Sequence, residues 1–144
     1  MKFKGVIFFL GILTILHFLV TGLLMKNNFF LIEPEQTLVR MMLRANHIYI
    51  LFSGLVLTLV SCTIKKDFEI KYLTVLSVSI LMISAVGINV SFYIDPINHL
   101  ELSTHVLQRK STGFSIIGLV IGTVLHILFI KYRDINNNSK ISIR

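Results

Sequence analysis

The chain has one cysteine, Cys62, so an intrachain disulfide is excluded. Cys62 falls near the end of an apolar run, where a small core residue is expected rather than a reactive thiol. Charge is also scarce. Asp, Glu, Lys and Arg make up 15% of the residues, against about 25% in an ordinary soluble domain. No His-Glu-x-x-His and no cysteine pair occurs, so no specific metal motif is present. There is no glycine-rich phosphate loop and no nucleophile recognisably set beside a base. No basic surface interleaved with aromatics lies outside the apolar runs, which argues against nucleic acid as a partner. The gaps between those runs are about 20 residues at most, too short for a separate soluble domain.

What the chain does have is apolar length. Of its 144 residues 54% are hydrophobic, and the mean hydropathy is +0.80. Four runs dominate, over Gly5–Met25, Ala45–Ile64, Tyr72–Ile94 and Gly113–Ile130. Each is close to the length of about 20 residues that crosses a hydrocarbon core of roughly 30 Å. The expected fold is all-α, an integral membrane up-down-up-down four-helix bundle. It forms a single domain over residues 1–130, followed by a polar, basic and disordered tail over 131–144. The first run starts with Lys2 and Lys4. Its apolar stretch exceeds a signal peptide's and no small-residue cleavage site follows, so a retained anchor is expected.

The net charge of +7 is unevenly placed. Lys2, Lys4, Lys65, Lys66, Lys71, Lys131, Arg133, Lys140 and Arg144 fall on one side of the four runs. Lys26, Arg40, Arg44, Arg109 and Lys110 fall on the other. The positive-inside rule then puts both termini in the cytoplasm, with a bacterial inner membrane as the setting. The lipid bilayer is the first partner, and the basic excess attracts anionic lipid. On the outer side Pro34, within Glu33-Pro34-Glu35, suits the first position of a helix. Asp95-Pro96 ends the third run.

Each run carries small or polar residues at helical spacing. They are Gly11, Thr14, His17 and Thr21; His47, Gly54, Thr58 and Ser61; Ser77, Ser84, Gly87 and Ser91, leading to Asp95; and Ser115, Gly118, Gly122 and His126. Small residues let helices approach, and hydroxyls bond across the contact. These stripes are therefore expected to face inward. Gly118-x-x-x-Gly122 also fits a homo-oligomer face.

The histidines carry the candidate chemistry. His17 and His126 lie well inside their runs, where polar groups usually face the bundle interior. At about 1.5 Å per residue, His17 stands roughly 20 Å above Lys4 and His126 about 8 Å above Lys131, so as joint axial ligands of one haem they are mismatched in depth. The outer side is richer. Arg40, Arg44 and His47 recur at about one helical turn. His99, Glu101 and His105 occupy the segment between the third and fourth runs, with Glu101 and His105 neighbours on a helix. Imidazoles with carboxylates suit a transition metal, with His47, His99, Glu101 and His105 as ligands. Alternatively the histidines hold a b-type haem, with Arg40 or Arg44 against its propionates. His17, Arg40, Arg44, His47 and His126 are the candidate cofactor-binding residues. A membrane redox partner, and a role in electron transfer or redox sensing, would follow. The competing expectation is a non-catalytic accessory or lipid-interacting scaffold with structural histidines. An aromatic belt, Tyr49, Phe52, Phe92 and Tyr93, is expected near the outer interface.

The stretch Arg44-x-Asn46-His47-Ile48-Tyr49-Ile50-Leu51 resembles one in uncharacterised small four-span bacterial membrane proteins. That resemblance implies an integral membrane protein and carries no activity. The chain is also similar to the glutathione-using membrane-associated eicosanoid enzymes in having four spans, a like length and an Arg44-Ala45 pair entering the second span. A glutathione-dependent membrane enzyme is what this implies. Asn46 comes earlier than that family's Asn, however, and no acid follows before Asp67. A third likeness, to small four-helix b-type membrane cytochromes, is architectural.

Overall fold

The computed structural model describes residues 2–28, 37–64, 72–102 and 109–141, with side chains over 4–27, 37–64, 72–97 and 109–132. Among the described residues there are four helices and no strand: α1 (Lys2–Asn28), α2 (Thr37–Thr63), α3 (Tyr72–Leu102) and α4 (Lys110–Ile141). Each contains a segment long and apolar enough to cross a membrane. With no water in a bilayer core, every backbone N–H and C=O has to be satisfied internally, and a continuous helix does this within one segment. The chain is an integral membrane four-helix bundle.

All four helices outrun their apolar runs, α1 by three residues at each end and each of the others by more at one end. α2 starts at Thr37 because Leu38 to Arg44 are good helix formers with no breaker among them. α3 passes through Asp95-Pro96 to Leu102 instead of ending there. Proline has no N–H for the carbonyl four residues back, here that of Phe92, so one ladder bond is missing while the helix continues. α4 runs on to Ile141, across the tail expected to be disordered. No Pro or Gly follows Gly122 to stop it. Once a helix is nucleated, each asparagine costs only about 0.5 kcal/mol. Pro34 and the link over 65–71 lie outside the described residues.

Consecutive helices pack side by side. The α1–α2 and α3–α4 pairs are the tightest, α2 packs on α3, and α1 scarcely meets α4. The apolar window is 39% buried in α2 and α3 but 22% buried in α1 and α4, so the middle helices form the centre. Ile50, Leu57, Val78, Leu81 and Ile88 are fully buried there, with Ile7 of α1. Phe9, Leu23, Leu59, Ile83 and Phe114 point outward, as lipid contact requires.

The stripes of small residues do face inward. A Cβ on Gly11 would stand 2.5 Å from Thr58 Oγ1, and one on Gly54 would stand 3.1 Å from the Gly11 carbonyl oxygen, so α1 and α2 touch backbone to backbone. On the other pair, a Cβ on Gly118 would meet Ser84 Oγ at 2.3 Å and one on Gly122 would meet Leu81 Cγ at 2.8 Å. Gly118 and Gly122 are therefore filled by α3 of the same chain.

Candidate functional site

A deeply buried polar group lies where α3 and α4 meet α2. Asn46, Ser91, Asp95 and Thr112 are 0%, 0%, 1% and 2% exposed. A carboxylate at that burial is costly unless it is held by donors, and α4 provides them. Asp95 Oδ2 accepts from the backbone N–H of Thr112 at 3.2 Å and from the Thr112 hydroxyl. Gly113 N–H donates to the Arg109 carbonyl at 2.9 Å, which makes Arg109 the cap and Thr112 the third helical residue. Asp95 thus caps α4 from a neighbouring helix, satisfying a spare N–H and setting negative charge against the positive end of the dipole.

Asn46 ties this cap to α2. Its Nδ2 donates to the Ser91 carbonyl at 3.1 Å. Its Oδ1 accepts from Arg109 Nη2 and lies 3.1 Å from Thr112 Oγ1. The Ser91 hydroxyl donates to the Ile88 carbonyl at 2.8 Å and lies 3.1 Å from Thr112 Oγ1. Arg109 is half-buried with its Cζ 5.6 Å from the Tyr49 ring centre, a cation–π contact. Its Nε is buried and has no hydrogen-bond partner.

His17 and His47 sit on the α1 side. Asn89 Nδ2 donates to the Ala85 carbonyl at 2.7 Å, which orients the amide and turns Oδ1 to His17 Nδ1. In the neutral ring Nδ1 then carries the proton, and Nε2 accepts from the Tyr93 hydroxyl at 2.9 Å. The Tyr93 ring also stacks on His17, centres 5.9 Å apart. His47 Nδ1 lies 3.0 Å from Thr21 Oγ1, and its ring stacks on Phe18 at 4.0 Å. Gly22 leaves room for that ring: a Cβ there would approach His47 Cε1 to 3.2 Å. Thr21 is held in turn by the His17 and Phe18 carbonyls, both at 3.0 Å.

His126 is elsewhere. Thr63 Oγ1 donates to the Val60 carbonyl at 2.7 Å and accepts from His126 Nε2 at 2.8 Å. His17 and His126 thus have separate partners on separate helices, in keeping with their unequal depths. Arg40 is half-buried and Arg44 exposed, both near the start of α2. His99 and Glu101 belong to the α3 extension, beyond the described side chains, and His105 lies outside the described residues. Among the described residues no three His, Cys, Asp or Glu side chains gather as a metal site would require.

The sequence expectation singled out His47 on α2, yet the residue beside it, Asn46, enters the centre. Asn46, Ile50, Ser53 and Leu57 form the buried face, while His47 turns toward α1. The spacing of Asn46 with Ile50, Ser53 and Leu57 was legible as one helical face. The pairing of Asp95 with Thr112 was not, because it depends on how far α3 continues past its apolar run. No family model matches this chain, and no curated protein or solved structure shows significant similarity to it.

Proposed function

We propose that the protein is a non-catalytic membrane component, an accessory subunit or lipid-contacting scaffold. One observation carries this reading: each described histidine bonds a hydroxyl or amide on a different helix. Polar side chains in hydrocarbon that satisfy one another across helix contacts fix register and orientation. His17 holds α1 to α3, His47 holds α1 to α2, and His126 holds α4 to α2. The setting is a bacterial inner membrane with both termini in the cytoplasm, following the excess of Lys and Arg at that end.

The test is the visible spectrum of the protein purified in mild detergent, oxidised and reduced, after growth with ample haem and metals, with metal analysis of the same sample. A colourless, metal-free protein is expected. A stoichiometric Soret band or bound metal would overturn the reading.

A second reading keeps the b-type haem or metal near the outer face, with electron transfer or redox sensing as its role. In its favour, His47 Nε2 makes no hydrogen bond among the described residues and so keeps a lone pair for a ligand. His99, Glu101 and His105 follow the third apolar run in the sequence. Loss of colour in His47→Ala, with the helical fold retained, is the outcome this reading requires.

A further inference from the structure

We infer that Arg109 is a binding site for a phosphodiester, the headgroup phosphate of one membrane phospholipid. A guanidinium has five N–H donors in a planar fork that matches phosphate oxygens. Among the described residues the Arg109 guanidinium makes a single hydrogen bond, from Nη2 to Asn46 Oδ1. Its Nε is shut off from solvent with no acceptor. Tyr49 covers the face of the group and contributes no acceptor oxygen to it there. Asp95, the nearby carboxylate, is turned to the N–H and hydroxyl of Thr112 and forms no ion pair with Arg109. The guanidinium is thus held in place by Asn46 and Tyr49 while most of its donors remain unspent. The buried Nε is beyond the reach of an outside ligand, and an anion with several acceptor oxygens fits the Nη1 and Nη2 end of the fork, a phosphate most fully.

Depth selects the source of that phosphate. The candidate span of α4 begins at Lys110, so Arg109 lies at the boundary where headgroups sit. Lys110 is exposed beside it and adds positive charge. Free phosphate meets the same donors but lacks acyl chains to lie along the apolar outer residues of the same helix, Phe114 and Ile117. The inference is independent of the scaffold reading, because a coloured protein can hold this lipid and a colourless one can lack it.

The experiment is native mass spectrometry of the full chain after stepwise delipidation, with phosphorus assay of the same samples. Wild type is expected to retain about one phospholipid per chain, by the bidentate match. Arg109→Gln and Arg109→Lys both lose it, since neither keeps the fork, and Lys131→Gln, an exposed lysine at the far end of the same span, retains it. Where Arg109→Gln fails to fold, wild type alone decides. Added phospholipid raises its melting temperature after delipidation, and inorganic phosphate at equal concentration does not. Equal stabilisation by inorganic phosphate would overturn the lipid assignment. Loss of the last lipid from wild type at the same delipidation step as from Arg109→Gln, or retention by Arg109→Gln, would overturn the site itself.

Discussion

Asn46 is the residue on which the centre of the bundle depends. Its amide oxygen faces both Arg109 and Thr112, and its amide nitrogen holds the Ser91 carbonyl. Asn46→Leu keeps the branched side-chain shape and removes all three contacts, leaving buried groups without a partner. Such loss costs about 1–3 kcal/mol, more when a charged group is stranded. The expected outcome is an earlier unfolding transition in a detergent titration, with a deficit at the upper end of that range. Asp95→Asn tests the cap: it keeps one acceptor oxygen for the Thr112 N–H but removes the charge. A smaller loss is expected, about 0.5–1 kcal/mol as for other helix-terminus charges. A deficit as large as that of Asn46→Leu would mean that Asp95 does more than cap α4.

At the scale of elements, the glycines divide by what surrounds them. Gly118 and Gly122 face Ser84 and Leu81 at distances no Cβ tolerates, whereas Gly5 and Gly113 have nothing within 4 Å. Gly122→Ile is therefore expected to separate α3 from α4 and to destabilise the chain by at least the 1–3 kcal/mol typical of overpacking. Gly113→Ala should be neutral or stabilising by up to about 1 kcal/mol, the difference in helix propensity. Comparing the two variants by unfolding and by size in detergent separates helix packing from association. Association lost without loss of stability would give the glycine face a role between copies. Pro96 offers a third test. Pro96→Ala restores an N–H opposite the Phe92 carbonyl in a helix that is already continuous. Higher stability and a protected amide at position 96 are expected.

For the whole molecule, orientation is the property to measure. A reporter that is silent in the periplasm, fused after Arg144, is expected to be active if the Lys and Arg excess sets the topology. A silent reporter would invert the chain and put Asp95, Arg109 and His47 at the cytoplasmic face. The arrangement of the four helices adds a consequence. α1 and α4 touch little, so α1 is held to the rest through α2 and through the His17–Asn89–Tyr93 contact on α3. His17→Ala should loosen α1 selectively, seen as faster amide exchange along α1 while α3 and α4 stay protected.

Four spans, their order and the inward stripes of small residues follow from the sequence alone. Apolar length and 3.6-residue spacing act locally, and the bilayer leaves a segment of that kind no structure but a helix. The individual histidines at positions 17, 47 and 126 were also visible as polar groups in apolar runs. Their partners were not. Asn89, Thr21 and Thr63 are distant in the chain, and which hydroxyl or amide an imidazole meets depends on the rotation and depth of two helices at once. The same holds for the cap on α4. Asp95 and Thr112 lie on opposite sides of the connection between α3 and α4, and only the continuation of α3 through Pro96, packed against α4, brings the carboxylate to the helix end. Local pattern determined which segments are helices, and tertiary packing decided which buried polar groups satisfy one another, because a hydrogen bond depends on three-dimensional geometry that a one-dimensional pattern does not contain.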